Sequence, residues 1–499
     1  VRLDLGSIPL DDPAVYDLIC EVDTIGLFQV ESRAQAQALP RVRPRSFADI
    51  VVEVAIIRPG PLQGNMVNPY IRRRQGREAV TYPHPSLEPI LKETLGVILF
   101  QEQILRVAMA VAGFTPSAAD KLRRAMSRAR SAADMERLRA PFLDGALRTG
   151  LTPEVAHTVF DQIAAFAEFG FCKSHAAAFA LTAYHTAHLK LYYPAEYTVG
   201  LLNNQPMGFY SPAVIAGDAK RHGIRVLPVD VNASIAKART EEADADPELT
   251  DISRTIAAKR ACRTHHVRLG LASVKGVGDE AADAVVAERE RGGPYRSFDD
   301  LARRVPLKEE ALRNLALIGA FDALGEPRRS LLWRSRDAHR ASPAYLRPTL
   351  AFPTVEPPAL PALSDAERTA LDYRITGIPT GPQVMRYYRA ELGRRGVTSS
   401  QGLASLAHGR RVIVAGTVIV KQHPETAKGH VFLSLEDEVG ISNIIVRPAV
   451  YREHKRILDE RAAIVVEGVL QHVDGVVSVL ARRIDALELF VPIATREWH

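Results

Sequence analysis

Two hydrophobic periodicities divide the chain. Up to about residue 235, apolar residues recur every three or four positions, as in LFQEQILRVAMAVAG (99–113) and SHAAAFALTAYHTAHLKLYYPAEY (174–197). That spacing predicts a mostly helical block with short loops. From Arg411 the pattern alternates and becomes β-branched: RVIVAGTVIV, HVFLSLEDE, ISNIIVRP, AAIVVEGVLQ and VVSVLARRI. Five such runs, with one helical stretch near AVYREHKRIL, predict a small closed barrel of the OB type. Between the two, TEEADADPELTD (240–251) reads as an acidic surface loop, residues 267–325 as short helices, and SPAYLRPTLAFPTVEPPALPAL (342–363) as a proline-rich linker or extended wrap. The expected multidomain order is a helical region over 1–238, a surface loop over 239–266, a helical hairpin domain over 267–340, linker and short helices over 341–408, and an all-β barrel over 409–492.

Local signals sharpen this outline. Thr115 and Pro116 predict a helix start, the first as N-cap and the second at the first helical position. Along that helix Lys121, Arg124 and Arg128 share one face, while Leu122, Ala125, Met126 and Ala129 share another. In LASVKGVGDEAADAVVAERERGG (271–293), Gly276-Val277-Gly278 joins two short helical stretches. Two glycines there allow a tight hairpin whose backbone N–H groups approach a DNA phosphate, with Lys275 adding charge. A plain helix–helix turn capped by glycine is the competing reading. On the barrel, Lys421, His423, Phe432 and Arg447 offer charge and stacking for single-stranded nucleic acid, although aromatic residues are few. Arg58, ahead of the rigid Pro59-Gly60-Pro61 turn, and Arg123-Arg124 suit triphosphate or DNA backbone oxygens, although by themselves such charges are more often solvated faces.

Composition removes several classes. A 499-residue chain exceeds one core. Its formal charge of +6 is too mild to announce nucleic acid by itself. Three scattered cysteines, Cys20, Cys172 and Cys262, exclude a disulfide framework or zinc finger and fit a reducing compartment. No run of eighteen apolar residues and no signal peptide are present, so a cytoplasmic protein without membrane attachment is expected. The chain starts at Val1 rather than Met, as a fragment or a non-standard start codon would. His185 and His188 lack a carboxylate or cysteine at ligand spacing, so a packed or surface pair is favoured over zinc. Asp244-Ala245-Asp246 and Glu436-Asp437-Glu438 do not read as catalytic carboxylate pairs, and no Walker-type loop or nucleophile arrangement appears.

Six stretches in order carry a resemblance: GLFQVESRAQ (26–35), IIRPGPLQG (56–64), YIRRRQGRE (70–78), LFQEQILRVA (99–108), KLRRAM (121–126) and FGFCKSHAAAFALTAYHTAHLKLYYPAEY (169–197). Together they resemble the fingers region of bacterial C-family DNA polymerases, the DNA polymerase III alpha subunits. QPMGFYSP (205–212) resembles the error-prone branch used in translesion synthesis. The later hairpin and barrel fall where that family carries a helix–hairpin–helix and an OB-fold.

The resemblance implies fingers that close over a deoxynucleoside triphosphate paired to primer-template DNA. Arg58 would border the site, and Arg123 and Arg124 would face the triphosphate. Gln29, Glu31, Ser32 and Arg33 match the family's Phe-Gln-x-Glu-Ser-Arg stretch, and Lys173, Ser174 and His175 its Lys-Ser-His turn. Ser127-Arg128-Ala129-Arg130 departs from the family's Gly-Lys-Lys-type continuation. Family members carry a phosphoesterase-like domain and a palm with the catalytic aspartates ahead of this block, and VRLDLGSIPLDDPAVY resembles the segment beyond the last of them. Magnesium would then be held by a palm outside this chain and none by the chain itself. It would work with a palm-bearing fragment or other translesion-synthesis proteins and be inactive alone. A non-catalytic DNA-binding remnant, or a truncated product without a role, is the alternative. The linker has no Gln-x-x-Leu-Phe peptide, which leaves sliding-clamp attachment open.

Overall fold

Side-chain caps decide where the first helices begin. The computed structural model describes residues 3–57, 67–126, 131–166, 171–208, 210–242, 265–343, 360–424, 429–490 and 497–498. Arg58 and its proline–glycine turn, residues 127–130, the acidic loop from residue 243, Cys262 and most of the proline-rich segment lie outside them. The chain divides into two units, Val1–His188 with Asp474–Val476, and Leu189–Val473 with Val477–His499.

In the first unit, α1 (Pro13–Cys20) starts on Asp12, whose carboxylate accepts the Ala14 N–H at 2.9 Å. Capping boxes open α2 (Arg33–Val42), with Ser32 and Gln35, and α3 (Phe47–Ile56), with Ser46 and Asp49. Then follow α4 (Val67–Arg74), α5 (Gln101–Ala112), α6 (Pro116–Met126), α7 (Ser131–Arg148), α8 (Pro153–Phe166) and α9 (Lys173–Tyr192). Helix α6 opens where expected, with Thr115 Oγ1 accepting the Ala118 N–H at 3.3 Å. Its Leu122 is buried while Lys121 and Arg124 are exposed. Helices α5 to α8 share a core in which Phe114, Phe142 and Phe160 form a row with ring centres 5.9 and 5.3 Å apart. Each fully buried ring contributes roughly 1.5–3 kcal/mol. Gly145 lets α7 touch the end of α5: a Cβ there would lie 2.1 Å from the Ala112 carbonyl oxygen.

The second unit continues with α10 (Pro194–Asn203) and α11 (Pro212–Arg221). Strands β1 (Val226–Leu227), β2 (Arg239–Glu242) and β3 (His265–Arg268) form a small sheet with β3 central. A 3-10 turn (Leu271–Ser273) leads through residues 274–277 into α12 (Gly278–Gly292), followed by α13 (Phe298–Arg304), α14 (Glu309–Leu317) and α15 (Arg328–Arg340). These helices share a core that includes Val285, Phe298, Leu312, Leu315, Phe321 and Leu331. Helix α16 (Asp365–Ile375) begins on the Ser364–Glu367 capping box, and α17 (Arg389–Arg394) precedes the barrel.

The barrel comprises β4 (Arg411–Gln422), β5 (Val431–Glu436), β6 (Ile441–Val446), β7 (Ala463–Val473) and β8 (Val476–Ala486), with α18 (Pro448–Glu460) between β6 and β7. Strand β4 pairs antiparallel with β5 and β7, β5 with β6, and β6 runs parallel to β8, which closes the five strands. A short β9 (Glu497–Trp498) adds parallel to the end of β4. The order of strands and the helix between the third and fourth match an OB-type barrel. A bulge between Val418 and Val420 breaks the alternation of β4.

Candidate nucleotide and nucleic-acid interface

In the first unit, the chain enters α9 through a turn built on acidic partners. Phe171 bridges to Phe100, and its carbonyl accepts the Gln101 N–H at 2.9 Å. That contact brings the first turn of α5 beside the first turn of α9. Both Glu102 carboxylate oxygens accept the Lys173 N–H, at 3.1 and 3.0 Å, and one accepts from the Cys172 thiol at 3.3 Å. A carboxylate thus caps the N-terminus of α9, where helix polarity favours an anion. The Lys173 ammonium pairs with Glu93 at 2.5 Å and lies 5.7 Å from the centre of the Phe100 ring. Ser174 and His175 are exposed. Ser174 Oγ lies 2.9 Å from Cys172 Sγ.

His175 begins an aromatic row. Its ring centre is 5.3 Å from Phe171 and 4.2 Å from Phe179, and Phe179 is 5.1 Å from the exposed Phe28. The Phe28 N–H donates to Thr186 Oγ1 at 3.2 Å, which ties the 26–35 stretch to α9. Gln29 follows with φ at 67°, a left-handed conformation uncommon for a non-glycine residue. Glu31 accepts the Gly26 N–H at 2.8 Å, Ser32 caps α2, and Arg33 is buried. This stretch therefore positions the loop under Phe28 as well as flanking the α9 turn. Arg123 and Arg124 stand on α6, both paired to Asp120, at 2.9 and 2.7 Å. Hydrogen bonding by Arg123 holds the Asp120 carboxyl below the usual carboxylate range.

The hairpin of the second unit has a different character. Val277 is buried and pins the loop, whereas Lys275, Gly276 and Gly278 are exposed. Gly276 and Gly278 adopt φ of 88° and 69°, so both need glycine. The Lys275 N–H donates to the Ile375 carbonyl, and the Val277 N–H to that of Val274. The amides of Gly276 and Gly278 make no hydrogen bond to any described residue. Two amides on exposed residues, without a partner among the described residues, therefore stand beside Lys275 at the start of a fifteen-residue helix. Asp279 and Glu280 in its first turn, with Glu310 near Gly276, temper the positive field.

On the barrel, register separates residues that looked equivalent. Phe432 lies opposite Gln422 and Ile445, on the outer surface, and Ile445 opposite Leu480. Lys421 lies opposite the buried Leu433, because the bulge at residue 419 reverses its side of the strand. Its ammonium is tied to Asp459 at 2.7 Å. His423 packs on Tyr451 with ring centres 5.2 Å apart, and Arg447 is exposed ahead of α18. Phe432 and Arg447 remain on the outer surface; Lys421 does not share the face of Phe432.

Asp244 and Asp246 lie outside the described residues, and the described carboxylates weighed with them for metal chemistry already hold partners. Asp4 accepts the Gly6 N–H, Glu436 is paired to Arg221, and Asp437 accepts from Ser400, Val439 and Gly440. These donors do not fit a two-magnesium site. His185 and His188 sit half-buried on α9, where burial pushes both imidazoles below their usual range. Glu93, Glu102 and Phe28 escaped sequence reasoning, since their partners lie about 70 to 160 positions away.

Residues 1–150 match the bacterial DNA polymerase III alpha subunit finger domain, and residues 223–331 match a helix-hairpin-helix motif. These matches, with the five-stranded barrel that follows, define a chain of the bacterial DNA polymerase III alpha type. Over its whole length the chain is 42% identical to the error-prone DNA polymerase of Mycolicibacterium paratuberculosis, covering 44% of that protein. It is 43% identical to that of Cutibacterium acnes over 99% of this chain and 46% of the relative, and 41% identical to that of Mycobacterium tuberculosis. The chain is similar over its whole length to these error-prone DNA polymerases and spans less than half of theirs. No helix among the described residues is long and apolar enough to cross a membrane.

Proposed function

We propose that this chain supplies the nucleotide-gripping and DNA-gripping parts of an error-prone DNA polymerase acting in damage-tolerant synthesis in the cytoplasm. Lys173, Ser174 and His175 at the start of α9, with Arg123 and Arg124 on α6, take the triphosphate of the incoming nucleotide. Gln29, Glu31, Ser32 and Arg33 shape the neighbouring wall, and Arg58 borders it. The hairpin at Lys275–Gly278 holds a phosphate of the primer-template, and the outer barrel surface around Phe432 and Arg447 takes single-stranded DNA. The amides of Gly276 and Gly278, on exposed residues and without a partner among the described residues, carry the DNA-binding reading, because buried or shared N–H groups would have left no phosphate donor there.

Phosphoryl transfer needs metal-bridged phosphates and an aligned primer hydroxyl. In this reading magnesium is held by carboxylates of a palm, while this chain's residues bind and orient. Primer extension by the purified chain, with magnesium and four nucleotides, tests it. Extension is expected only when a palm-bearing fragment of the same family is added. Extension by the chain alone would overturn the assignment of the metal site. DNA binding without extension in either mixture would establish a non-catalytic DNA-binding remnant instead.

A further inference from the structure

Helix α15, RRSLLWRSRDAHR, carries five arginines against one aspartate and ends beyond the segment matched as helix-hairpin-helix. Leu331, Ser335 and Ala338 are its buried face. At 100° per residue, Arg329, Trp333, Arg336 and Arg340 fall within an arc of about 60° directly opposite. They make a stripe about 16 Å long. Trp333 is 56% exposed, the most exposed large hydrophobic side chain among the described residues. Arg336 is exposed and makes no ion pair among the described residues. Arg329 pairs with Glu367 at 2.8 Å and Arg340 with Asp337 at 3.4 Å, both partly exposed and so weak enough for a phosphate to displace.

We infer that this stripe is a binding track for single-stranded nucleic acid, separate from both the hairpin and the barrel. Its guanidinium groups complement successive phosphates. The indole between them is a stacking platform, and only an unpaired base offers it a face. An acidic protein partner would satisfy the arginines but would leave the indole without a π surface. Duplex DNA would satisfy the phosphate contacts and leave the indole likewise unused.

The chain has two tryptophans, so Trp498→Phe leaves Trp333 as the sole indole reporter. In the full-length chain carrying that change, emission from Trp333 is expected at long, solvent-exposed wavelengths. Titration with a short oligothymidylate should quench it saturably, and added salt should weaken the binding. In the wild-type chain, Trp333→Ala should weaken oligonucleotide binding about ten-fold, within the range of one lost stack, while Trp333→Phe retains most of it. Circular dichroism confirms that each variant folds. Emission at short wavelengths would mean that the face is covered, and would overturn the inference. So would oligonucleotide binding by anisotropy with no quenching, equal quenching by a blunt duplex, or quenching by polyglutamate alone.

Discussion

Ion pairs do opposite jobs in the two units. Around the α9 turn and on α6 they are half in water: the Lys173 and Glu93 side chains are 45% and 35% exposed, and Arg124 is 65% exposed. In the second unit, Arg221 and Glu436 meet at 2.6 Å with side chains 8% and 6% exposed. Lys190 and Asp218 meet at 2.9 Å at 5% and 10%. Lys220 beside them donates to the Gly381 carbonyl at 2.7 Å. The buried set ties α11 to the turn after α16 and to the end of barrel strand β5. Exposed pairs contribute little to stability and exchange partners readily. Buried ones have already lost their water and hold only while each charge keeps its partner. Burial, rather than charge, separates pairs free to change partners from pairs that clamp.

Breaking the clamp should have the largest effect. Arg221→Met leaves Glu436 buried without its cation and should cost about 3–5 kcal/mol, read as a fall in the urea midpoint of the second unit. The double variant Arg221→Met/Glu436→Leu should regain most of that loss, because an apolar pair needs no compensation. Arg124→Met should leave the midpoint where it was. An equal loss for both single variants would erase the distinction.

A buried acid in the first unit sharpens the rule. Glu53 on α3 is fully buried, and neither carboxylate oxygen has a hydrogen-bond partner among the described residues. Burial pushes its pKa up to about 8. Between its ordinary value and 8 the folded chain holds a proton that the unfolded chain has lost, so stability falls as pH rises through that window. Glu53→Gln removes the titration. It should exceed wild type on the order of 3–5 kcal/mol near pH 8 and match it near pH 4.5, in denaturation series across that range.

Lys220 gives the mirror case. Burial lowers its pKa to about 8, opposed by Asp372 and Glu436. From pH 8 to its ordinary value the unfolded chain binds the extra proton, so stability should rise with pH there, on the order of 2–3 kcal/mol. Lys220→Met should be flat across the same interval. A wild-type curve that falls instead would mean that the ammonium is stabilised where it sits.

Local rules made much of the fold legible. Thr115 and Pro116 announced α6, alternation announced five strands, and Gly276 with Gly278 announced the hairpin, because each signal lies within a few residues of its effect. The motif stretches, compared with a known family, located the α9 turn. Two things stayed hidden for physical reasons. Arg221 and Glu436 stand 215 positions apart, and nothing around either one names its partner. Lys421 followed the alternation of β4 only up to the bulge, where one extra residue turns every later side chain to the other surface. Phe432 sits on a strand without such a break, opposite Ile445 and Gln422.

The smallest effect tests the exchangeable pairs and rests on the proposed nucleotide site. Glu93 holds the Lys173 ammonium and Asp120 holds both Arg123 and Arg124, so a triphosphate must displace carboxylates before it gains three cations. Glu93→Gln and Asp120→Asn remove that competition without touching the cations. Each should tighten binding of a labelled deoxynucleoside triphosphate about two- to five-fold, the range that weak exposed pairs allow. Lys173→Ala should weaken it. If Lys173→Ala weakens binding and the acid variants leave it unchanged, the site stands and the competition does not. If none of the variants alters binding, these cations do not hold the triphosphate, and the α9 turn serves packing rather than recognition.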